Sequence, residues 1–145
     1  MTTIVYRDGV LAADRRAYSG DKKGIGAKTK IHRLDDGTLW GVSSCNVGAD
    51  ALIKRWVEAG CEPVGSDQLK PESFELLLVR PTGEIFYANG NLDLSGPLTA
   101  DYFAIGSGDH FAMGAMAMGA SAIRAVEIAS DLDVWSGEGM TVLEL

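Results

Sequence analysis

Three short turns, each closing on a glycine and flanked by apolar runs, constrain this chain more than any other feature. Ile4-Val5-Tyr6 and Val10-Leu11-Ala12-Ala13 flank Arg7-Asp8-Gly9. Lys30 to Leu34 and Thr38 to Val42 flank Asp35-Asp36-Gly37, and Glu75 to Val79 and Glu84 to Ala88 flank Arg80-Pro81-Thr82-Gly83. A glycine at the turn accepts the positive φ that a tight reversal demands, so each unit predicts a β-hairpin and antiparallel pairing.

Helical periodicity occupies the intervals. Ala49, Leu52, Ile53, Trp56 and Val57 share one helical face, with Gly60 just past the end. Cys61 to Pro71 has no helical period and predicts an irregular connector. After a strand at Tyr102-Phe103-Ala104-Ile105, the alanine- and methionine-rich stretch from Phe111 to Ala129 predicts two short helices broken near Gly119, the second capped by Ser121. Met140 to Leu145 predicts a last strand. Strands, a helix, strands, two helices and a strand describe antiparallel sheets covered by helices, an α+β order without alternating βαβ units. The 145 residues suit a single domain spanning 1–145.

Charge narrows the partners. Thirteen basic against 20 acidic side chains leave a net charge of −7, a field that repels phosphate backbones, so no nucleic acid is expected. The basic cluster Lys22, Lys23, Lys28 and Lys30 reads as a solvated loop, from which only Lys30 is kept. The apolar runs fall short of a membrane span, and Cys45 and Cys61 follow no secretory signal, so a reducing cytoplasm is expected. His32 and His110 are isolated, and no spacing builds a tetrahedral metal site, so neither a metal nor another cofactor is expected. Asp35-Asp36 is a turn, Met113, Met116 and Met118 pack in a helix, and Gly24-x-Gly26 lacks the rest of a dinucleotide loop.

Thr2 follows a methionine that is removed when the next residue is small. Exposed in that way, it would carry a hydroxyl nucleophile and an α-amine of pKa ~8 on one carbon, a nucleophile with its own base. Its company gives that pair meaning. Thr2-Thr3-Ile4-Val5, Val10-Leu11-Ala12-Ala13-Asp14, Lys30-Ile31, Ala104-Ile105-Gly106-Ser107-Gly108 and Asp133-Val134-Trp135-Ser136-Gly137 occur in this order. Together they resemble the proteasome β-subunit and HslV family of N-terminal-nucleophile hydrolases, over nearly the whole chain.

The resemblance implies an αββα sandwich of two antiparallel sheets covered by helices. One helix of the usual layer is missing or very short, replaced by the connector from Cys61 to Pro71. It implies a threonine peptidase in which Thr2 attacks, Lys30 tunes the proton affinity of the hydroxyl and amine, and Asp14 orients Lys30. Ser107, Asp133 and Ser136 would form the supporting network. Backbone N–H groups would stabilise the oxyanion; counting back from Ala49-Asp50 places them at Asn46, with Cys45 the close alternative. The family further implies a polypeptide substrate, a homo-oligomeric ring or double ring and an ATPase unfoldase as partner. Two alternatives share the fold: a catalytically silent ring or scaffold subunit, and an amidase for small substrates.

Overall fold

The structure is a computed structural model that describes residues 2–17, 26–45, 48–64, 73–90 and 92–145. Three tight hairpins organise it. Strands β1 (Ile4–Arg7) and β2 (Val10–Asp14) pair in the register Ile4↔Ala13 to Arg7↔Val10. Their turn places Asp8 at φ 50° and Gly9 at φ 79°, the two successive positive angles that suit an Asp-Gly reversal between twisted strands. After the short strands β3 (Arg16–Ala17) and β4 (Gly26–Ala27), which pair with each other, β5 (Ile31–Arg33) and β6 (Leu39–Ser44) form the second hairpin. Helix α1 (Ala49–Glu58) follows, then the third hairpin, β7 (Phe74–Val79) with β8 (Ile85–Asn89).

The chain continues through β9 (Ser95–Leu98) and β10 (Tyr102–Ile105), helices α2 (Asp109–Ala117) and α3 (Ala122–Leu132), and β11 (Met140–Glu144). Ser121 caps α3 by accepting the Arg124 backbone N–H. One sheet has the order β10-β1-β2-β11 and the other β5-β6-β7-β8-β9.

Period-two alternation sorts these strands into layers. Ile4, Tyr6, Leu11 and Ala13 from the first sheet meet Ile31, Leu39, Leu77, Val79 and Ile85 from the second in a core between the sheets. Their neighbours point the other way. Val5, Ala12 and Ala104 pack beneath α2 and α3, while Trp40, Val42, Leu76 and Leu78 pack beneath Ile53, Trp56 and Val57 of α1. Each large side chain so buried contributes ~1.5–3 kcal/mol against exposure. The layers run helix, sheet, sheet, helices, as the expected αββα sandwich requires.

Among the described residues α1 is the one helix on the five-stranded sheet; residues 65–71 of the predicted connector lie outside them, as do Lys22 and Lys23. Strand β9 carries no strand pattern in its sequence, Ser-Gly-Pro-Leu. It is an edge strand joined to β8 at Ile85↔Leu98 and Tyr87↔Ser95, where a proline removes no interior ladder bond. Among the described residues no helix is long and apolar enough to cross a membrane.

Candidate active site

Thr2 and Thr3 lead into β1. Thr2 is 3% and Thr3 0% exposed, so every polar atom there needs a partner within the protein. Two polar groups close around them.

The first is charged. Asp14 ends β2 and is fully buried; its Oδ1 accepts the Thr3 backbone N–H at 2.9 Å and the Lys30 ammonium at 2.8 Å. Its Oδ2 accepts the backbone N–H groups of Arg16 at 3.1 Å and Gly137 at 3.0 Å. One carboxylate thus ties Lys30 to the residue adjoining Thr2. Lys30 lies just before β5 with 2% of its surface exposed. Burial lowers its pKa below the ordinary 10.5 by more than the charge and hydrogen bond of Asp14 raise it, and Lys28 adds to the lowering. A lysine in this state releases a proton more readily than a solvated one.

The second group is a chain of hydroxyls ending on Asp133, the residue that closes α3. Thr2 N donates to Ser107 Oγ at 3.2 Å, and Ser107 Oγ donates to Asp133 Oδ2 at 2.7 Å. Ser136 Oγ donates to the same Oδ2 at 2.7 Å. Since Ser136 has one proton and gives it to the carboxylate, Thr3 Oγ1 is the donor in its 2.7 Å bond to Ser136 Oγ. Asp133 Oδ1 is held by the Trp135 backbone N–H at 3.2 Å.

Six residues singled out in the sequence, Thr2, Asp14, Lys30, Ser107, Asp133 and Ser136, therefore come together although they are spread along the chain from end to end. Cys45 is exposed and lines a cavity of about 610 Å³ whose wall also includes Ser43, Gly106 and Ser107. Asn46 lies outside the described residues.

Four further residues adjoin the site. Thr3 extends the hydroxyl chain, and its signal is the doubled threonine. Gly106 and Gly108 are set by close approach: a Cβ at Gly106, whose φ is 96°, would stand 2.0 Å from Thr2 O, and one at Gly108 would stand 2.0 Å from Thr3 Oγ1. Only glycine lets the loop after β10 press against Thr2 and Thr3. The fourth is Glu75. Its signal is a carboxylate at an inward position of the strand Phe-Glu-Leu-Leu-Leu-Val.

Among solved structures the chain resembles eukaryotic HslV from Trypanosoma brucei, with a TM-score of 0.69 and 22% identity over 99% of both chains. The fold is that of HslV. A second structure with the HslV fold, Thiobacillus denitrificans BPH in complex with epoxomicin, matches with a TM-score of 0.68 and 22% identity over 99% of this chain and 98% of that one. A further structure of Thiobacillus denitrificans BPH gives 0.62 and 21%, over 99% and 97%. Neither a family model nor a curated protein matches the sequence. The agreement extends across the HslV fold from end to end, which accords with a sequence resemblance that also spans nearly the whole chain.

Proposed function

We propose that this chain is a single-domain threonine peptidase that hydrolyses peptide bonds through Thr2 after Met1 is removed. The observation that carries the reading is the convergence on Thr2 and Thr3 of a buried Asp14–Lys30 pair and a directed hydroxyl chain ending at Asp133. A buried ammonium with a lowered pKa, paired with the carboxylate that also holds the Thr3 amide, is the kind of perturbed group that clusters at functional sites.

In the proposed reaction the α-amine of Thr2 takes the proton of the Thr2 hydroxyl as Oγ bonds to the substrate carbonyl carbon. Lys30 favours the deprotonated form of both groups, and Asp14 fixes Lys30. Backbone N–H groups at Cys45 or Asn46 receive the oxyanion. The ammonium returns its proton to the departing amine as the C–N bond breaks, leaving an ester on Thr2 that water then hydrolyses. Ser107, which already holds Thr2 N, keeps the freed amine aimed at Oγ.

Assembly into a homo-oligomeric ring, fed by an ATPase in a reducing cytoplasm, belongs to the same proposal. It is supported by α2, whose apolar residues run round the helix and leave Phe111 41% and the following Met118 89% exposed. A helix apolar on all sides suits burial in an assembly.

Intact-mass analysis before and after a threonine-directed β-lactone tests the chemistry. Loss of Met1 and one adduct on Thr2 are expected, with Thr2→Ala losing the adduct and at least ~10³-fold of peptide hydrolysis while its circular dichroism is unchanged. Retained Met1, or a folded protein with unlabelled Thr2, overturns the reading and leaves the silent-subunit alternative. Hydrolysis of simple amides but not of peptides would favour the small-substrate amidase.

A further inference from the structure

Glu75 has no part in the machinery described above, yet it stands at the same cavity. It occupies an inward-facing position of β7, opposite Ser43 of β6 and Asn89 of β8, and with them lines the 610 Å³ cavity that reaches Gly106 and Ser107. Both of its oxygens are anchored. Oε2 accepts the Gly106 backbone N–H at 2.8 Å, and Oε1 accepts the Tyr87 hydroxyl at 3.1 Å.

Anchoring by one donor on each oxygen leaves further lone pairs, because a carboxylate can accept about four hydrogen bonds. Among the described residues Glu75 forms no ion pair, and it is the one acidic or basic side chain on the cavity wall. A second carboxylate, Asp109, lies near enough to act on the same tyrosine. Burial first, then the charge of Glu75 and its hydrogen bond, push the Tyr87 phenol up to about 12, with Asp109 adding to the rise. The phenol therefore stays protonated as a donor, and the cavity holds a negative field with no cation of its own among the described residues.

A fixed anion in a concave, partly desolvated wall attracts a cation and repels an anion more strongly than an exposed carboxylate does. Gly106 connects it to the chemistry, since the amide that Glu75 holds belongs to the residue pressed against Thr2 O. We propose that Glu75 is a specificity-determining residue, which selects substrates with an arginine or lysine side chain next to the bond presented to Thr2.

This rests on the peptidase reading, so the test separates the two. Fluorescein-labelled peptides identical except for a carboxy-terminal arginine, citrulline or glutamate are titrated against the full chain and followed by anisotropy, with β-lactone labelling of Thr2 measured in parallel. Citrulline keeps the shape of arginine and removes its charge. The arginine peptide is expected to bind at least ~10-fold tighter than the citrulline peptide, the range for a hydrogen bond to a charged group, and the glutamate peptide weakest.

Glu75→Gln keeps groups that can bond Gly106 and Tyr87. It is expected to bring the arginine-to-citrulline ratio to about one while leaving citrulline binding unchanged, which a merely structural role would not do. Equal affinities in the wild-type protein, or a preference that survives Glu75→Gln, overturn the proposal. Should the variant not fold, the wild-type ratio decides alone. Labelled Thr2 without arginine preference removes this inference and keeps the peptidase; arginine preference with unlabelled Thr2 does the reverse.

Discussion

The two polar groups around Thr2 solve the same problem with different materials. On one side a full charge is buried: Lys30 and Asp14 are 2% and 0% exposed, and the carboxylate is saturated by an ammonium and three backbone amides. On the other, Asp133 gathers neutral hydroxyls from Ser107 and Ser136, and through Ser136 from Thr3. Charge can shift the proton affinity of a neighbour, whereas hydroxyls chiefly fix direction. Under the proposed reaction the difference gives tuning to the first group and aim to the second.

That contrast can be broken most forcefully at Asp14. Asp14→Ala removes the carboxylate that pairs with a buried ammonium and is expected to cost ~3–5 kcal/mol of stability, measured by urea unfolding. The double variant with Lys30→Met should cost less than the single one, because the buried ammonium that Asp14 balances is gone too. A double variant as unstable as Asp14→Ala would mean that the carboxylate serves its backbone amides rather than Lys30.

Asp133→Ala sharpens the other side. It removes the carboxylate that accepts from two hydroxyls and the Trp135 backbone N–H, and ~2 kcal/mol is expected, with β-lactone labelling slowed because Ser107 loses the bond to Asp133 that orients it. A loss as large as that of Asp14→Ala would erase the distinction between the halves.

The smallest expected effect comes from pH acting through Lys30. With its folded pKa lowered, Lys30 releases its proton in the folded chain while the unfolded chain still holds one, up to 10.5. Unfolding free energy therefore rises with pH across the window between the lowered value and 10.5, and falls as pH descends through it. Unfolding curves from near neutrality to pH 10.5 should show this rise in the wild-type chain relative to Lys30→Met.

Much of this was legible in the residues. All three hairpins lie within a residue or two of their expected positions, since Asp-Gly and Pro-Thr-Gly between apolar runs leave few other conformations. The helices at Ala49–Glu58, Asp109–Ala117 and Ala122–Leu132 follow from periodicity and the Ser121 cap, although α2 begins two residues before the expected Phe111. Strand β9 was not legible, because a Gly-Pro pair is extended here only through its place at a sheet edge.

The site divides in the same way. Residue types in order along the chain were enough to nominate Thr2, Asp14, Lys30, Ser107, Asp133 and Ser136, because order is a property of sequence. Local patterns also determined which faces of each strand are apolar, and so that two sheets must stack. Only the tertiary structure decided that Thr3 is the donor to Ser136, that Gly106 and Gly108 admit no side chain, and that Glu75 faces the same cavity as Ser107. Those are distances between residues far apart in the chain, set by how the sheets close on one another, and no local periodicity encodes them.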